Sequence, residues 1–220
     1  MVLTQKSGKA VAKLMSRKNK GVEHYFSAIP KCDDRFGIIK TVLRGRNLQF
    51  LTSSNVFSKR RVDLGTRVLI EAMVLPKTGN ILDVGCGYGA VGITASLLNP
   101  SLNVFMTDVN IRAIRLARRN AETNRALNTD VRLGYLYEPV KDLRFDCVLS
   151  NPPVSAGMDT VKAIISGASK ALSVDGSFQM VVRSKIGAKT LPNFFVEVFG
   201  NYEILARESG YRVLVGKLTA

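Results

Sequence analysis

Apolar residues along the chain occur in two patterns: short uninterrupted runs, and longer stretches in which they recur every three or four positions. The short runs predict buried strands, at Ile81–Val84, Asn103–Thr107, Val131–Leu136, Phe145–Leu149, Ser177–Val182, Tyr202–Arg207 and Tyr211–Val215. The longer stretches predict helices, at Thr66–Leu75, Ala90–Leu98, Asn110–Thr123, Thr160–Leu172 and Ala188–Phe199. Because strands and helices alternate, the sequence predicts an α/β fold, a mostly parallel sheet with helices on both faces.

Two segments are expected to form antiparallel hairpins. The last two predicted strands are joined without a helix, so they must pair with each other and make one edge of the sheet antiparallel. Near the start, the apolar runs Gly37–Leu43 and Asn47–Leu51 flank Arg44-Gly45-Arg46 and predict a small N-terminal β-hairpin. Residues 1–21 contain six basic residues and no acidic one. They predict a basic arm, either mobile or a short helix, ahead of one domain over 22–220.

Composition indicates a class of binding partner and argues against disulfide and metal sites. The 32 Lys and Arg outnumber the 17 Asp and Glu, for a net charge of +15. Such an excess favours a polyanionic partner, RNA or DNA, over a merely solubilising surface. Three cysteines without a CxxC pair and a single histidine argue against a disulfide framework and a metal site. The chain has no apolar run of about 18 residues and no signal core, so a cytoplasmic protein is expected. Its oligomeric state stays open, with a monomer favoured.

The segment from Asp83 to Gly89 predicts a ligand site between a strand and a helix. Gly85, Gly87 and Gly89 allow a tight turn and the close approach of a ligand to free N–H groups. Asp108, at the end of the next strand, offers a carboxylate to the hydroxyls of a ribose. Dinucleotides and S-adenosylmethionine (SAM) both fit this pattern.

Asp83 favours SAM over a dinucleotide. A carboxylate two residues before the first glycine would repel a pyrophosphate, whereas SAM carries a sulfonium and an ammonium and no phosphate. A capping or turn role is the alternative for this side chain.

Asn151-Pro152-Pro153 follows a predicted buried strand and is the most specific motif of the chain. Two prolines cannot continue a strand, so they fix an extended turn at the edge of the sheet where ligands bind. There, the Asn151 side-chain oxygen and the Pro152 carbonyl are suited to accept both protons of an exocyclic amine and direct its lone pair at a methyl donor. A simple strand-terminating turn is the alternative.

Together these motifs resemble those of the small-subunit ribosomal RNA guanine-N2 methyltransferases and their compact archaeal relatives, over about residues 22–217. The shared stretches are His24–Ser27, Val56–Ser58, Val62–Thr66, Asp83–Gly89, Asp108–Asn110, Leu136–Glu138, Asn151–Pro153, Gly187–Lys189 and Gly210–Leu214. The resemblance implies a Rossmann-like, seven-stranded methyltransferase fold, SAM as donor with S-adenosylhomocysteine as product, and Asn-Pro-Pro as the amine-binding element. It also implies cofactor contacts from Val109, Tyr135 and Leu136.

Two positions depart from the family pattern. Tyr135 stands where many relatives have an acid near the adenine ring, so stacking on Tyr135 or backbone groups would recognise the adenine. Val154 follows Pro-Pro where related amino-methyltransferases often have Tyr or Phe, which removes a stacking surface for the substrate.

Basic residues near the expected site mouth predict RNA contacts. They are Lys59, Arg60 and Arg61 in the loop before Asp63, and Arg183, Lys185 and Lys189 after a strand on the same edge as Asn-Pro-Pro. Arg112, Arg115 and Arg119 share a helix face that is more simply explained as solvated.

The sequence therefore predicts a SAM-dependent N-methyltransferase acting on RNA, with guanine N2 of small-subunit ribosomal RNA as the first target and a ribosomal subunit or its RNA as partner. The alternatives are methylation of a protein glutamine amide, a non-catalytic RNA-binding module and, more distantly, a nicotinamide oxidoreductase.

Overall fold

A computed structural model describes residues 36–53, 61–153, 157–187 and 189–219. These residues form strands β1 Phe36–Leu43, β2 Arg46–Ser53, β3 Gly79–Val84, β4 Leu102–Asp108, β5 Thr129–Leu133, β6 Phe145–Ser150, β7 Leu172–Arg183, β8 Glu203–Glu208 and β9 Tyr211–Lys217. The α-helices are α1 Leu64–Ala72, α2 Ala90–Leu98, α3 Ile111–Asn124, α4 Gly157–Ala171 and α5 Thr190–Phe199, with a 3-10 turn at Glu138–Val140. None of the helices in these ranges is both long and apolar enough to cross a membrane. The predicted basic arm over 1–21 lies outside the described residues.

Seven strands form the main sheet, in the order β5-β4-β3-β6-β7-β9-β8. Every neighbouring pair from β5 to β7 is parallel, and β9 runs antiparallel to both β7 and β8. The predicted Rossmann-like fold with its antiparallel edge hairpin is confirmed; the antiparallel strand is β9, one position inside the edge.

Helices cover both faces of this sheet and bury one apolar cluster on each side. Val68 of α1, Ile93 of α2 and Ile114 of α3 belong to one cluster. Ile165 of α4 and Phe195 of α5 belong to the other. The central strands are buried on both faces, which explains why they are continuous apolar runs in the sequence rather than alternating ones.

The carboxyl ends of the parallel strands position the residues of interest. Parallel strands β3, β4 and β6 are neighbours, so their carboxyl ends meet at one edge of the sheet. The glycine loop follows β3, Asp108 ends β4, and Asn151 follows β6. The Ser150 hydroxyl donates to the Val84 carbonyl (3.0 Å) and ties the ends of β6 and β3 together.

The predicted N-terminal hairpin is present as β1 and β2, and α3 holds its free edge. The Asn124 amide bonds both the N–H and the carbonyl of Gln49 (3.0 and 2.8 Å), and the Asn120 amide does the same at Leu51 (2.7 and 3.0 Å). Asn120 also donates to the Tyr88 carbonyl (2.9 Å), so the hairpin is anchored beside the glycine loop.

Many element boundaries differ from the prediction by a few residues, including those of β5, α1 and β7. Strand β5 ends at Leu133 rather than Leu136, because its partner β4 ends at Asp108, which pairs with Leu133; Leu136 beyond it is left-handed (φ 46°). Helix α1 ends at Ala72 rather than Leu75, since Met73 already has an extended backbone (φ −58°, ψ 136°). Strand β7 begins at Leu172 rather than Ser177 and pairs there with Phe145.

Candidate functional site

A cavity opens at the carboxyl ends of β3, β4 and β6. Its walls include Asp83, Asp108 and the glycine loop on one side and the turn at Tyr135–Leu136 on another. Asn151, Pro152 and Pro153 line it as well, with Gly85, Gly87 and Val109. The structure thus gathers ten of the predicted cofactor and catalytic residues around one space.

The glycine loop has a backbone that other residues adopt only with strain. Gly85, Gly87 and Gly89 have φ values of 72°, 56° and 92°. A Cβ added at Gly85 or Gly87 would meet nothing within 4 Å, so the space above these two is open to a ligand. Gly89 is not a lining residue: it caps α2, and a Cβ there would lie 2.8 Å from Ile93 Cδ1. Its role in the structure is therefore close packing at the start of α2.

Asp108 links the end of β4 to the glycine loop. Its Oδ2 accepts the Gly87 N–H (2.9 Å) and its Oδ1 accepts the Asn110 N–H (2.8 Å). Burial raises the pKa of Asp108, while hydrogen bonds from the backbone of Asn110, Gly87 and Val109 lower it. Each carboxylate oxygen has a second lone pair, which remains suited to a ribose hydroxyl.

Asp83 both caps a helix and lines the cavity. Its Oδ2 accepts the Gly92 N–H (3.0 Å) in the first turn of α2, which is the capping role considered as an alternative. Burial raises the pKa of Asp83 to about 7; the Gly92 hydrogen bond lowers it, and the charge of Asp108 raises it further. No Lys or Arg is among the described residues that line the cavity. Two carboxylates without a basic neighbour favour a cationic ligand.

Asn151 is held by the start of α1. Its Nδ2 donates to Thr66 Oγ1 (2.7 Å) and to Asp63 Oδ2 (3.3 Å). Asp63 is itself the N-cap of α1, where its Oδ2 accepts the Thr66 N–H (3.2 Å). The sequence motifs singled out Asn151 but assigned no role to Thr66, which also lines the cavity.

The turn after β5 presents Tyr135 at the cavity. Gly134 (φ 157°) and Leu136 (φ 46°) flank this residue, and its side chain is 44% exposed. Leu136 is a non-glycine residue in the left-handed region, a conformation that costs energy and concentrates at ligand sites. The exposed ring leaves Tyr135 available for stacking.

The predicted RNA contacts lie outside the cavity. Lys59, Arg60 and Val154 are not among the described residues. Arg61, Arg183, Lys185 and Lys189 are exposed and do not line the cavity. Arg183 donates to the Tyr211 hydroxyl (3.2 Å), and its guanidinium lies 5.6 Å from that ring centre.

On the basic face of α3, several arginines have structural partners. Arg118 donates to the Val131 carbonyl (2.7 Å), and Arg119 pairs with Glu122 (3.6 Å) in the open. Of the three arginines predicted to share a face, Arg115 and Arg119 are exposed, as the solvated explanation requires, whereas Arg112 is half-buried.

Comparison with known sequences identifies relatives over most of the chain. The family model of the methyltransferase small domain matches residues 47–215. The protein YbxB of Bacillus subtilis (strain 168), whose function is uncharacterized, is 34% identical over 197 residues, covering 89% of this chain and 98% of YbxB. Ribosomal RNA small subunit methyltransferase C of Serratia proteamaculans (strain 568) is 30% identical over 171 residues, which are 76% of this chain and 48% of that protein.

The fold also matches solved structures. The T. thermophilus 16S rRNA N2 G1207 methyltransferase, in complex with AdoMet and guanosine, has a TM-score of 0.76 and 23% identity. The match covers 86% of this chain and 52% of that one. The chain therefore spans about half the length of the ribosomal RNA methyltransferases it matches.

Proposed function

This chain belongs to the methyltransferase small domain family and is a SAM-dependent methyltransferase, and we propose that it methylates an exocyclic amino group of RNA. The first target is guanine N2 of small-subunit ribosomal RNA. The printed names of two relatives support this choice, since one is a small-subunit ribosomal RNA methyltransferase and the other methylates N2 of a guanine.

The residues of the cavity fit SAM. Asp83 and Asp108 offer negative charge to a ligand that carries a sulfonium and an ammonium. The open space above Gly85 and Gly87 accepts a ligand close to the backbone, and Tyr135 offers a ring face for the adenine. When bound, SAM supplies an electrophilic methyl group.

The observation that carries the proposal is the orientation of the Asn151 amide. Its Nδ2 is occupied by Thr66 and Asp63, so its Oδ1 remains to accept a proton of the substrate. With the Pro152 carbonyl, Oδ1 holds the two N–H protons of a planar amine, whose lone pair is delocalised and weakly nucleophilic. Positioning of the lone pair, rather than a strong base, is the contribution of this chain to the transfer.

Charge outside the cavity supports RNA as the substrate. The chain has a net charge of +15, and three exposed basic residues lie at or just beyond the carboxyl end of β7: Arg183, Lys185 and Lys189. This edge of the sheet also holds Asn151. These residues are proposed to contact phosphates, together with Arg61 and, outside the described residues, Lys59 and Arg60. Val154 remains a predicted substrate neighbour, and a cytoplasmic location remains a prediction.

Tritium transfer from SAM tests the proposal. Small ribosomal subunits, naked ribosomal RNA and total protein are incubated with the enzyme, with Asn151→Ala as the negative control, and labelled RNA is digested to nucleosides. The proposal expects label in N2-methylguanosine. Label in protein glutamine would establish the amide reaction instead, and RNA binding without transfer to any substrate would establish a non-catalytic module.

A further inference from the structure

We propose that Asp63 and Thr66 are positioning residues that set which end of the Asn151 amide faces the substrate. This inference rests on the proposed amine methylation and assigns two further residues to it. Neither residue contacts the reacting atoms, and both act by holding Asn151.

The orientation matters because the two ends of an asparagine amide have nearly the same shape and opposite hydrogen-bonding character. An amine substrate presents N–H donors. If Asn151 turned its Nδ2 toward that amine, donors would face donors and the lone pair would lose its alignment. The amide must therefore be fixed with Oδ1 toward the substrate before the substrate arrives.

Asp63 and Thr66 provide that fixation. A carboxylate only accepts hydrogen bonds, so the Asn151 atom 3.3 Å from Asp63 Oδ2 must be Nδ2. Thr66 Oγ1 accepts the other Nδ2 hydrogen at 2.7 Å. Both hydrogens of Nδ2 then have acceptors, and among the described residues no partner is present for Oδ1.

The beginning of α1 builds this pair of acceptors. Asp63 caps the helix through the Thr66 N–H, so capping brings Asp63 Oδ2 and Thr66 Oγ1 to the same side of the first turn. Gly65 lies between these two residues and has no side chain to obstruct them. A Cβ at this position would lie 2.8 Å from the Tyr211 ring and 3.1 Å from Asp63 Oδ2. The Tyr211 ring therefore packs directly against this turn at Gly65.

Thr66 offers the cleaner test, since its side chain does not cap α1. Thr66→Val removes the acceptor and keeps the shape, and Thr66→Ser restores a hydroxyl. Single-turnover transfer to RNA at saturating SAM is expected to slow about tenfold or more in Thr66→Val and to recover to within about threefold of wild type in Thr66→Ser. SAM affinity is expected to stay within about twofold in both. Thr94→Val is the matched control, because Thr94 is buried, does not line the cavity and donates its hydroxyl to the Ala90 carbonyl (2.7 Å) within α2.

Asp63→Ser separates orientation from capping. Serine is also a good N-cap, but its shorter side chain does not reach Nδ2 of Asn151. The expected result is slower transfer with little change in thermal stability. A rate equal to wild type in both Asp63→Ser and Thr66→Val would overturn the inference.

A double-mutant cycle with Asn151→Ala decides how the two residues act. If Thr66 acts through Asn151, Thr66→Val causes no further loss of rate in the Asn151→Ala background. Multiplicative losses would show that Thr66 acts independently and would overturn the inference while leaving the proposed function intact. A wild-type enzyme that transfers no methyl group to RNA would overturn the proposed function itself and remove the basis of the inference.

Discussion

Asp83 and Asp108 lie at the carboxyl ends of two neighbouring parallel strands, β3 and β4, and line the same cavity. The charge of Asp108 adds to burial in raising the pKa of Asp83. The described lining residues include no Lys or Arg that would offset these two carboxylates. The two carboxylates therefore favour a cationic ligand, which offsets their mutual repulsion. SAM has the required charge, which connects the acidity of the site to cofactor binding.

SAM affinity is expected to depend on pH through Asp83. A cation binds the ionised carboxylate better than the protonated one, so protons compete with SAM below the pKa of about 7. The dissociation constant should rise as pH falls from 8 to 6, by at most about tenfold per unit, in isothermal titration calorimetry. Asp83→Asn should bind SAM more weakly with little pH dependence. An equally steep pH dependence in Asp83→Asn would assign the effect to another group.

The same carboxylate is expected to lower the stability of the ligand-free protein at high pH. The pKa of Asp83 is raised from 3.8 to about 7 by burial, so the folded state keeps a proton that the unfolded state has lost. The free energy of unfolding should therefore fall as pH rises from about 4 to 7, by at most about 1.4 kcal/mol per unit from this group.

Asp83→Asn removes that ionisation and can still accept the Gly92 N–H. Urea unfolding should show a more stable variant at pH 8 and a smaller difference from wild type at pH 4.5. A variant less stable than wild type at pH 8 would contradict an uncompensated charge at this position.

Asp108→Ala is expected to weaken SAM binding by at least tenfold. The variant loses an acceptor for the ribose, and hydrogen bonds to a charged group are each worth on the order of 1.5–3 kcal/mol. It also frees the Gly87 N–H that Asp108 holds at 2.9 Å. Calorimetry should be paired with Asp130→Ala, an exposed carboxylate bonded to Arg132, as a control for lost charge. Normal SAM affinity in Asp108→Ala would show that the ribose lies elsewhere.

Much of this site was predictable because its motifs are local and the topology is regular. A glycine loop after one strand, Asp108 at the end of the next and Asn151 after a third must meet once the strands are parallel neighbours. The partners of Asn151 were not predictable in this way, since Thr66 and Asp63 are 85 and 88 residues away in the sequence. The sequence placed the loop before Asp63 near the site mouth, but gave no signal that the residue capping the helix also accepts a hydrogen bond from Asn151.

Local backbone conformation limited the prediction in a second way. Strand β5 ends where its partner β4 ends, at Asp108, and Leu136 carries no sequence signal for its left-handed conformation, so β5 was predicted three residues too long. The amides of Asn120 and Asn124 pair with β2 across 69 and 75 residues. Asparagine on a helix is ordinarily a surface residue, and only the tertiary structure shows it acting as the neighbour of a strand.

RNA affinity is expected to fall steeply with salt, and the basic residues after β7 should contribute to the slope. Replacing Arg183, Lys185 and Lys189 together with Ala removes three proposed phosphate contacts, and at about 0.7 per contact the slope of log K against log salt should flatten by about 2. Filter binding between about 50 and about 300 mM salt measures this slope. The paired Arg115→Ala, Arg119→Ala variant on α3 is the control, and an equal effect there would indicate a diffuse field rather than a contact site.

Asn151 is expected to control the rate of methyl transfer without controlling cofactor affinity. Removing one positioned hydrogen-bonding group costs about 2.7–4 kcal/mol of transition-state stabilisation, so Asn151→Ala should slow single turnover roughly a hundredfold to a thousandfold at saturating SAM. The dissociation constant of SAM should change little, because Oδ1 serves the substrate amine. Circular dichroism and thermal unfolding verify that the variant is folded.

Asn151→Asp distinguishes the proposed orientation from a simple need for an acceptor at this position. An aspartate keeps acceptor oxygens but has no N–H to donate to Thr66 Oγ1, and one of its oxygens would face Asp63 Oδ2 at the position now 3.3 Å away. Two carboxylates at that distance repel each other, so the side chain should turn away and the rate should fall as far as in Asn151→Ala. Since the repulsion needs both acids, adding Asp63→Asn to Asn151→Asp should recover part of the rate. A near wild-type single-turnover rate in Asn151→Ala would refute amine positioning by this residue. A near wild-type rate in Asn151→Asp would refute only the role of the Nδ2 contacts and would leave amine positioning intact.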